Sequence, residues 1–360
     1  MYAAMTKKVK TNRRYYDFFD DVKNYPDAVV YVVISQRGIG KTYGFLNGAR
    51  KKKIPIIYMK RCIEDINTIC TGDELADINP YKPINRDEGC NVKPVALKKG
   101  LGYFKDGEED DEFLVGYLAA LNALKYIRGV DFSDADYCCL DEFCGSLGEK
   151  LSRTEGEQLL DCYMTFNRDR EDRGLDPMKL VLFSNSDEIM SPITDTLEIA
   201  DMIMELVASG KFIYYDQERR ILIHYVTDKE YPVTEQAKKG IFATMKGTDW
   251  HAKAFSAAFV HNDFSQVNKK TIAHSRCIMK CTYKHKDIYI YENADSGKLY
   301  FCNIPHQTRC KYNFDKESDR VRFVHYDNAY IRSAIMNGQA TFEKFTYYDL
   351  FMNFVKKFGM

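Results

Sequence analysis

The stretch from Ala28 to Tyr43 reads AVVYVVISQRGIGKTY. Val29 to Ile34 are all β-branched or aromatic, which predicts a strand that is buried on both faces. This strand runs into a loop with two glycines, and the residues from Lys41 and Thr42 onward can form a helix. A strand, a glycine-bearing loop, Lys-Thr and a helix are together typical of a phosphate-binding loop.

The residues of this loop are candidates for binding a nucleotide. Gly38 and Gly40 let backbone N–H groups face an anion at a helix N-terminus, where the helix dipole also favours negative charge. Lys41 is placed to reach the β- and γ-phosphates, and Thr42 to ligate Mg²⁺. Ser35 stands where the pattern has its first glycine, so the match is incomplete. The alternative for this motif alone is a helix N-terminus with a surface lysine.

A second motif follows further along the chain. Residues Asp136 to Phe143 form an apolar strand that ends in Asp141 and Glu142. A carboxylate at that strand end can meet the Mg²⁺ held by Thr42, and the adjacent carboxylate can orient and polarise an attacking water. Strands often end in acids, but this Walker B pattern together with the loop predicts an enzyme that hydrolyses a nucleoside triphosphate.

Length and composition limit the class of protein. The chain has 360 residues, of which 45% are hydrophobic and 29% charged, and this is typical of a globular protein with two or three domains. The longest apolar run, Ala28–Ile34, is far too short to cross a membrane, and nothing at the N-terminus suggests secretion. The 11 cysteines are scattered, which indicates reduced thiols in a cytosol.

The charge is balanced overall but unevenly distributed. Lys and Arg number 52, as do Asp and Glu. Residues 265–360, however, carry 16 basic against 9 acidic residues. If a polyanion binds broadly, this part of the chain is therefore favoured, although ordinary surface charge is an equal alternative.

Hydrophobic patterns predict two folded domains and a connecting segment. Residues 1–228 are predicted to form an α/β P-loop NTPase domain of the ASCE type with a mostly parallel sheet. Besides the two strands already described, its predicted strands are IPIIYMKR (54–61), FLVGYLAAL (113–121) and KLVLFSNS (179–186), and a hairpin is predicted in KFIYYDQERRILIHYV (211–226). Residues 229–268 are predicted to be a linker. Residues 269–360 are predicted to be a small β-rich domain; its strands are CIMKCTY (277–283), DIYIYENADSGKLYFCNI (287–304, a hairpin) and RVRFVHY (320–326), and an amphipathic helix follows in FEKFTYYDLFMNFVKKF (342–358).

Two further groups of polar residues are candidate sites. A predicted helix over 154–171 ends with Arg168 and Arg170, both expected to be exposed, either as cations that complement the helix dipole or, for Arg168, as an arginine finger. The polar strand tip Ser184-Asn185 could sense a γ-phosphate. A zinc site in the C-terminal domain is a weak alternative because the spacing fits no zinc pattern; its candidates are Cys277, Cys281, Cys302, His306 and Cys310.

The motifs resemble a known family. The segments ISQRGIGKTYGF, YMKR, YCCLDEF, RDRE and LFSNS occur in the order found in the DNA-packaging ATPases of small short-tailed Picovirinae-like bacteriophages. The resemblance covers about residues 30–265 and thins out beyond them. A loop that begins with Ser is also what many large terminase subunits carry, so this departure supports the resemblance.

The resemblance implies an ATP-hydrolysing motor that drives double-stranded DNA into a preformed prohead. Such a motor is a ring of five subunits that docks on the portal vertex in the host cell cytoplasm, in some cases with a packaging RNA. ATP and Mg²⁺ are its cofactors, and no membrane is involved. By the same resemblance, Asp141 holds the metal, Glu142 activates water, Arg168 enters a neighbouring subunit's site, and Arg37 acts within its own subunit.

The resemblance also implies a C-terminal domain shaped like an RNase H nuclease. Nucleases of this kind need several carboxylates to hold two metal ions. CIMKCTY contains no acid, and Asp287, Glu292 and Asp295 lie on the following hairpin, so we expect the domain to be inactive and to grip DNA or a structural RNA. Two rival functions remain: a nuclease-competent large terminase subunit, and a regulatory nucleotide switch or kinase that does not act as a motor.

Overall fold

The computed structural model divides the chain into two units, Met1–His261 and Asn262–Met360. The residues it describes are 15–72, 78–97, 99–107, 111–145, 149–168, 170, 173–185, 188–227, 230–231, 241–248 and 264–360. Most of the predicted linker, 229–268, lies outside these residues, so the predicted domain boundaries stay a prediction. Gln266, near the end of that segment, donates from Nε2 to the Ile335 carbonyl within the C-terminal unit (2.9 Å).

The N-terminal unit is built on one mixed sheet. Its described strands are β1 Val30–Ser35, β2 Ile56–Lys60, β3 Lys93–Ala96, β4 Leu101–Asp106, β5 Phe113–Ala120, β6 Tyr137–Asp141, β7 Lys179–Asn185, β8 Ile213–Asp216 and β9 Ile221–Val226. Their order is β3-β4-β5-β2-β6-β7-β1-β9-β8. The six strands from β5 to β9 in this order are parallel, and the strands outside them are antiparallel. Because β7 lies between β1 and β6, the sheet has the predicted ASCE arrangement.

Helices connect these strands. They are α1 Phe18–Asn24, α2 Lys41–Lys51, α3 Ile63–Thr71, α4 Lys82–Glu88, α5 Leu124–Ile127, α6 Glu155–Phe166, α7 Pro192–Thr196, α8 Ala200–Ala208 and α9 Ile241–Thr244, with a 3-10 turn at Leu121–Ala123. Helix α2 begins directly after the glycine loop, as predicted. Helix α6 ends at Phe166 rather than continuing to residue 171. Asn167 is its C-cap and makes the last helical hydrogen bond, from its N–H to the Tyr163 carbonyl (2.8 Å), and the next bond along the chain is the turn from Arg170 N–H to the Asn167 carbonyl (3.3 Å).

The core of this unit forms around β1. Five of its six residues are buried, which confirms the predicted strand with two covered faces. On one face, Tyr31 packs edge-to-face against Phe18 of α1 with ring centroids 5.3 Å apart, and Phe18 in turn contacts Phe45 of α2 at 5.1 Å. Burial of each such ring contributes about 1.5–3 kcal/mol, so the aromatic N-terminal segment is a structural part of the sheet's cover.

The predicted hairpin over 211–226 is confirmed as β8 and β9, which pair antiparallel. Strand β9 also pairs in parallel with β1 in the register Val30↔Ile221. The second strand of the hairpin therefore belongs to the parallel centre of the sheet, and only β8 lies at its edge.

The C-terminal unit has a separate five-stranded sheet with helices. The strands are β10 Ser275–Tyr283, β11 Lys286–Asn293, β12 Leu299–Cys302, β13 Lys311–Asn313 and β14 Ala340–Phe342, in the order β13-β10-β11-β12-β14. The helices are α10 Glu317–Tyr326, α11 Asn328–Met336, α12 Phe345–Met352 and α13 Phe354–Phe358. The predicted hairpin in DIYIYENADSGKLYFCNI is confirmed by the antiparallel pair β11–β12. CIMKCTY is confirmed as a strand: it lies in β10, which pairs antiparallel with β11.

Two predictions for this unit were wrong. RVRFVHY is part of helix α10 and not a strand: its alternation does not follow burial, since Val321 is 52% exposed while Phe323 is fully buried. Acidic residues in the first turn and an i,i+3 ion pair between Asp319 and Arg322 favour the helix. The predicted single helix over 342–358 is two helices that meet at Asn353, whose side chain donates to Asp349 (2.9 Å).

Within the described part of the chain, no helix is both long and apolar enough to cross a membrane. All 11 cysteines are free thiols.

A buried ionic cluster joins α1 to the sheet. His224 of β9 lies between two carboxylates, with Nδ1 2.7 Å from Asp21 Oδ2 and Nε2 3.3 Å from Glu230 Oε2. Tyr16 donates its hydroxyl to the same oxygen of Asp21. Burial by itself lowers the pKa of His224, but Asp21 and Glu230 outweigh it and raise this pKa from 6.5 to about 10.

We expect the free energy of unfolding to fall as the pH rises from about 6.5 towards 10. The folded protein keeps the His224 proton over this range while the unfolded chain releases it, so the stabilisation is complete below 6.5 and is lost through 10. Urea unfolding of the wild type and His224→Gln at several pH values between 6.5 and 9.5 measures this. The difference between the two curves should shrink with rising pH; a constant difference would contradict a protonated His224.

Candidate active site

Three neighbouring parallel strands end in polar residues at one edge of the sheet. Strands β6, β7 and β1 are adjacent in the sheet, and they end at Asp141, Asn185 and Ser35. The carboxyl edge of a parallel sheet is where ligands of open α/β folds bind. The sheet order therefore brings the loop, the Walker B acids and the Ser184-Asn185 tip together, although they are distant in sequence.

The glycines of the loop are required by its shape. Gly38 and Gly40 have φ values of 81° and 78°, a region that L side chains rarely adopt. A Cβ on Gly40 would also lie 2.5 Å from a ring carbon of Tyr15. Gly44, which the sequence did not single out, is equally constrained, because its Cβ would lie 2.0 Å from the Tyr16 carbonyl oxygen.

Lys41 lies at the centre of this edge with a side chain that is almost wholly buried. Its amine donates to Ser35 Oγ (2.7 Å) and to Asn185 Oδ1 (3.2 Å). Burial lowers the pKa of Lys41 to about 8, while the carboxylates of Asp141 and Glu142 act in the opposite direction. Ser35 replaces the first glycine of the usual pattern, and its hydroxyl helps to orient the lysine.

Thr42 and Asp141 contact each other directly. The Thr42 hydroxyl donates to Asp141 Oδ2 across 2.7 Å, and Tyr58 of β2 donates to the same oxygen across 3.2 Å. Tyr58 is 2% exposed, and burial together with Asp141 raises its pKa well above the ordinary value. Sequence reasoning missed Tyr58, because only the strand order reveals that β2 lies beside β6.

Glu142 follows Asp141 with an exposed side chain. Its backbone has a φ of 59°, an uncommon value for a residue other than glycine. The Glu142 N–H donates to Asp141 Oδ1 (3.1 Å), and its carbonyl accepts from Arg61 Nη2 (2.7 Å). Arg61, which directly follows β2, was also missed as a functional candidate, although it lies in the segment YMKR on which the family resemblance partly rests.

The residues present suit a nucleotide and Mg²⁺. A hydroxyl and a carboxylate, as in Thr42 and Asp141, are hard oxygen donors of the kind that Mg²⁺ prefers. Among the residues that the structure describes, the hydrogen-bond acceptors of the buried Lys41 amine are two neutral oxygens, so the approach of an anion would favour its charged form. The loop glycines add backbone N–H groups at the N-terminus of α2.

The three candidate arginines differ in their surroundings. Arg37 is exposed in the loop, and its positive charge contributes to the lowered pKa of Lys41. Arg168 is exposed just beyond the end of α6, and among the described residues no contact joins it to the loop. Arg170 was expected to be exposed, and this was wrong: its side chain is 3% exposed. It donates to the carbonyls of Asp176, Ser133 and Ala135 and to the Asp136 carboxylate.

The C-terminal unit shows no comparable site. Asp287 pairs with Lys280 (2.7 Å) and Glu292 with Arg276 (2.8 Å). Within the residues that the structure describes, no group of three or more His, Cys, Asp or Glu side chains could hold a metal ion. This applies to the zinc candidates as well as to the acids of the hairpin.

We expect Arg170→Ala to lower the free energy of unfolding by about 2–4 kcal/mol, because it leaves several carbonyl oxygens without a donor. Arg168→Ala is the matched control: its side chain is exposed, so it should change stability by no more than about 0.5 kcal/mol. Urea denaturation of both variants measures this, and equal stabilities would show that the contacts of Arg170 do not hold in solution.

Comparison with known proteins gives one informative match. A chain of the solved bacteriophage Phi-29 viral genome packaging motor assembly matches at 16% identity with a TM-score of 0.64, over 96% of this chain and 99% of that chain. The crystal structure of the Gp16 C-terminal domain from Bacillus virus phi29 matches 27% of this chain and 96% of that domain at 16% identity, with a TM-score of 0.23. No family model and no curated protein matches the chain.

The large terminase of a thermophilic bacteriophage, solved in complex with ADP, matches 91% of this chain and 87% of that chain at 11% identity, with a TM-score of 0.38. The packaging-motor chain combines a TM-score of 0.64 with coverage of nearly the whole of both chains. The chain therefore has the fold of a chain from a bacteriophage genome-packaging motor: a P-loop α/β unit with a mostly parallel sheet, and a separate smaller unit with its own β-sheet.

Proposed function

We propose that this protein is the ATPase of a motor that translocates double-stranded DNA into a phage prohead. The observation that carries this proposal is the convergence of Lys41, Thr42 and Asp141 at the carboxyl edge of the sheet, with Glu142 exposed beside them. The fold match to a packaging-motor chain over 96% of this chain supports a motor rather than another P-loop enzyme.

The proposed roles follow from the chemistry of each side chain. The Lys41 amine and the N–H groups of the loop bind the β- and γ-phosphates of ATP. Thr42 and Asp141 hold Mg²⁺, which neutralises charge on the phosphate oxygens when bound. The exposed carboxylate of Glu142 orients the attacking water and accepts its proton. Asn185 fixes the lysine through the 3.2 Å contact between Lys41 Nζ and its Oδ1.

The two exposed arginines supply positive charge in this proposal. Arg37 acts within its own subunit, because it lies exposed in the same loop as Lys41. Arg168 acts on a neighbouring subunit, because it is exposed past the end of α6 and has no contact with its own loop among the described residues. A finger supplied in this way makes hydrolysis depend on assembly of a ring, for which we propose five subunits.

DNA is proposed to contact the protein through phosphates and not through base edges. A motor has to hold every sequence it moves, and phosphate contacts carry no sequence information. The C-terminal unit, with 16 basic and 9 acidic residues over 265–360, is the favoured surface for DNA, the portal or a packaging RNA. Docking on the prohead portal in the host cytoplasm completes the proposal.

The nuclease rival is not favoured. A two-metal nuclease needs several carboxylates that converge, whereas Asp287 and Glu292 are each already paired with a basic side chain. A regulatory switch or kinase uses the same loop, but it needs neither DNA-stimulated hydrolysis nor an arginine from a neighbour. Measurements of hydrolysis therefore separate it from a motor.

We expect ATP hydrolysis to rise with protein concentration and to be stimulated by double-stranded DNA of any sequence, with stimulation that weakens as salt increases. Lys41→Ala should abolish nucleotide binding. Glu142→Gln should bind ATP normally and lower turnover by about 10²-fold or more, because it keeps the size of the side chain but cannot accept a proton. Steady-state hydrolysis and calorimetric titration with ATP measure these effects.

Hydrolysis that is indifferent to DNA at every protein concentration would refute the motor and leave the switch or kinase. Near wild-type turnover in Glu142→Gln would instead refute the assignment of the water-activating residue alone.

Arg168→Ala subunits should fold and bind ATP but hydrolyse it about 10³-fold or more slowly, because an arginine finger stabilises the charge of the transferring phosphoryl group. Mixing them with Glu142→Gln subunits should restore part of the activity, since each contributes what the other lacks. Hydrolysis across mixing ratios measures this. The control is Arg173→Ala, which removes another half-exposed arginine of the same region that pairs with Asp131 (3.3 Å). Full activity of Arg168→Ala alone would show that Arg168 is not an arginine finger and that it only complements the dipole of α6.

A further inference from the structure

Arg61 occupies a position between the water-activating loop and helix α6. It directly follows β2, and its guanidinium donates from Nη2 to the carbonyls of Glu142 (2.7 Å) and Phe143 (3.0 Å). From Nε it donates to Glu155 Oε1 (2.8 Å), and its Nη1 lies 3.5 Å from Glu149 Oε1. One side chain thus ties two consecutive peptide groups of the loop to the first residue of α6.

The backbone that Arg61 holds is an unusual one. Glu142 has a φ of 59°, and such a conformation costs free energy unless surrounding contacts fix it. The Glu142 carbonyl accepts from Arg61 and from the Gly145 N–H (2.8 Å), and the next N–H, that of Phe143, donates to the Phe183 carbonyl (3.0 Å). These bonds hold the peptide group after the Glu142 Cα, and the Glu142 N–H, which donates to Asp141 Oδ1 (3.1 Å), holds the peptide group before it. Together they fix the direction in which the Glu142 carboxylate leaves the backbone.

The partner of Arg61 on α6 is a buried carboxylate. The Glu155 side chain is 4% exposed, and the Arg61 side chain 18%. Burial raises the pKa of Glu155, and the charge of Arg61 opposes this rise. Buried ion pairs are often no more stabilising than apolar residues of the same size, so overall stability is a weak explanation for this pair. An explanation by geometry is stronger, since the planar guanidinium hydrogen-bonds the Glu155 carboxylate and two carbonyls at fixed angles, which an ammonium cannot do.

We propose that Arg61 is a positioning residue that holds the Glu142 loop against the first turn of α6, so that the Glu142 carboxylate is already oriented towards the attacking water. The proposal rests on the proposed ATP hydrolysis and adds to it a residue that contacts neither nucleotide nor water. Its effect is therefore on turnover and on the loop, and not on nucleotide affinity.

The test compares Arg61→Ala with a closely matched control, Arg50→Ala. Arg50 pairs with Asp106 across 2.6 Å at exposures of 19% and 5%, against 2.8 Å and exposures of 18% and 4% for Arg61 and Glu155. Arg50 lies in the last turn of α2, away from the loop. Arg61→Ala should lower kcat about 10- to 100-fold, with ATP affinity changed less than about 3-fold, because small misplacements of a catalytic group have effects of this size. Arg50→Ala should leave kcat within about 2-fold.

A second readout does not need activity. Hydrogen exchange of the amides of Phe143 and Gly145 should be at least about 10-fold faster in Arg61→Ala than in wild type, and unchanged in Arg50→Ala. If Arg61→Ala does not fold, Arg61→Lys and Glu155→Gln replace it; each preserves part of the contacts and should show smaller shifts in the same direction.

The outcomes are separable. Unchanged exchange at Phe143 and Gly145 overturns the positioning role, whether or not the enzyme hydrolyses ATP. Equal losses of kcat in Arg61→Ala and Arg50→Ala also overturn it, because they would reflect general destabilisation. Absence of ATP hydrolysis in the wild type refutes the proposed function instead, while faster exchange would still show that Arg61 orders the loop.

Discussion

The Lys41 side chain is almost wholly buried, and the rest of the site is arranged around its amine. Its hydrogen bonds go to a serine hydroxyl and an asparagine carbonyl, both uncharged. The nearest carboxylates raise its pKa, yet burial has the larger effect. A cation held in this way interacts more strongly with an incoming anion than an exposed lysine would, because little water separates them. The parallel order β6-β7-β1 is what places both acceptors within reach.

The sequence predicts those parts of the site that are formed by residues adjacent in the chain. The loop with Lys41 and Thr42 and the strand ending in Asp141 carry their own local patterns, and the structure brings them together across 2.7 Å. The strands were predicted from local patterns too, since a short run of β-branched and aromatic residues such as Val29 to Ile34 indicates a buried strand. Motif and hydrophobic run are both properties of a short window.

Side chains whose partners lie far away in sequence were not predicted. Tyr58 and Arg61 act through strand order, because only a sheet that places β2 beside β6 brings them to the Walker B acids. Arg170 looked like a surface cation, as a charged residue beyond an amphipathic helix usually is, yet the chain folds back over it and supplies three carbonyl acceptors. The strand in RVRFVHY was predicted wrongly for a similar reason. The sequence shows that residue types alternate there, but it does not show which of these residues pack against the rest of the unit.

Helix α6 has a different kind of residue at each end. Its first residue, Glu155, is tied through Arg61 to the loop that carries Glu142, and the exposed Arg168 comes two residues after its last. With 12 residues, the helix is about 18 Å long, and helices of this length move as stiff rods. A shift of the loop that moved Glu155 would therefore move the helix as a whole. In the proposed ring, helix α6 would in this way link the Glu142 loop of one subunit to the position of the arginine that it offers to its neighbour.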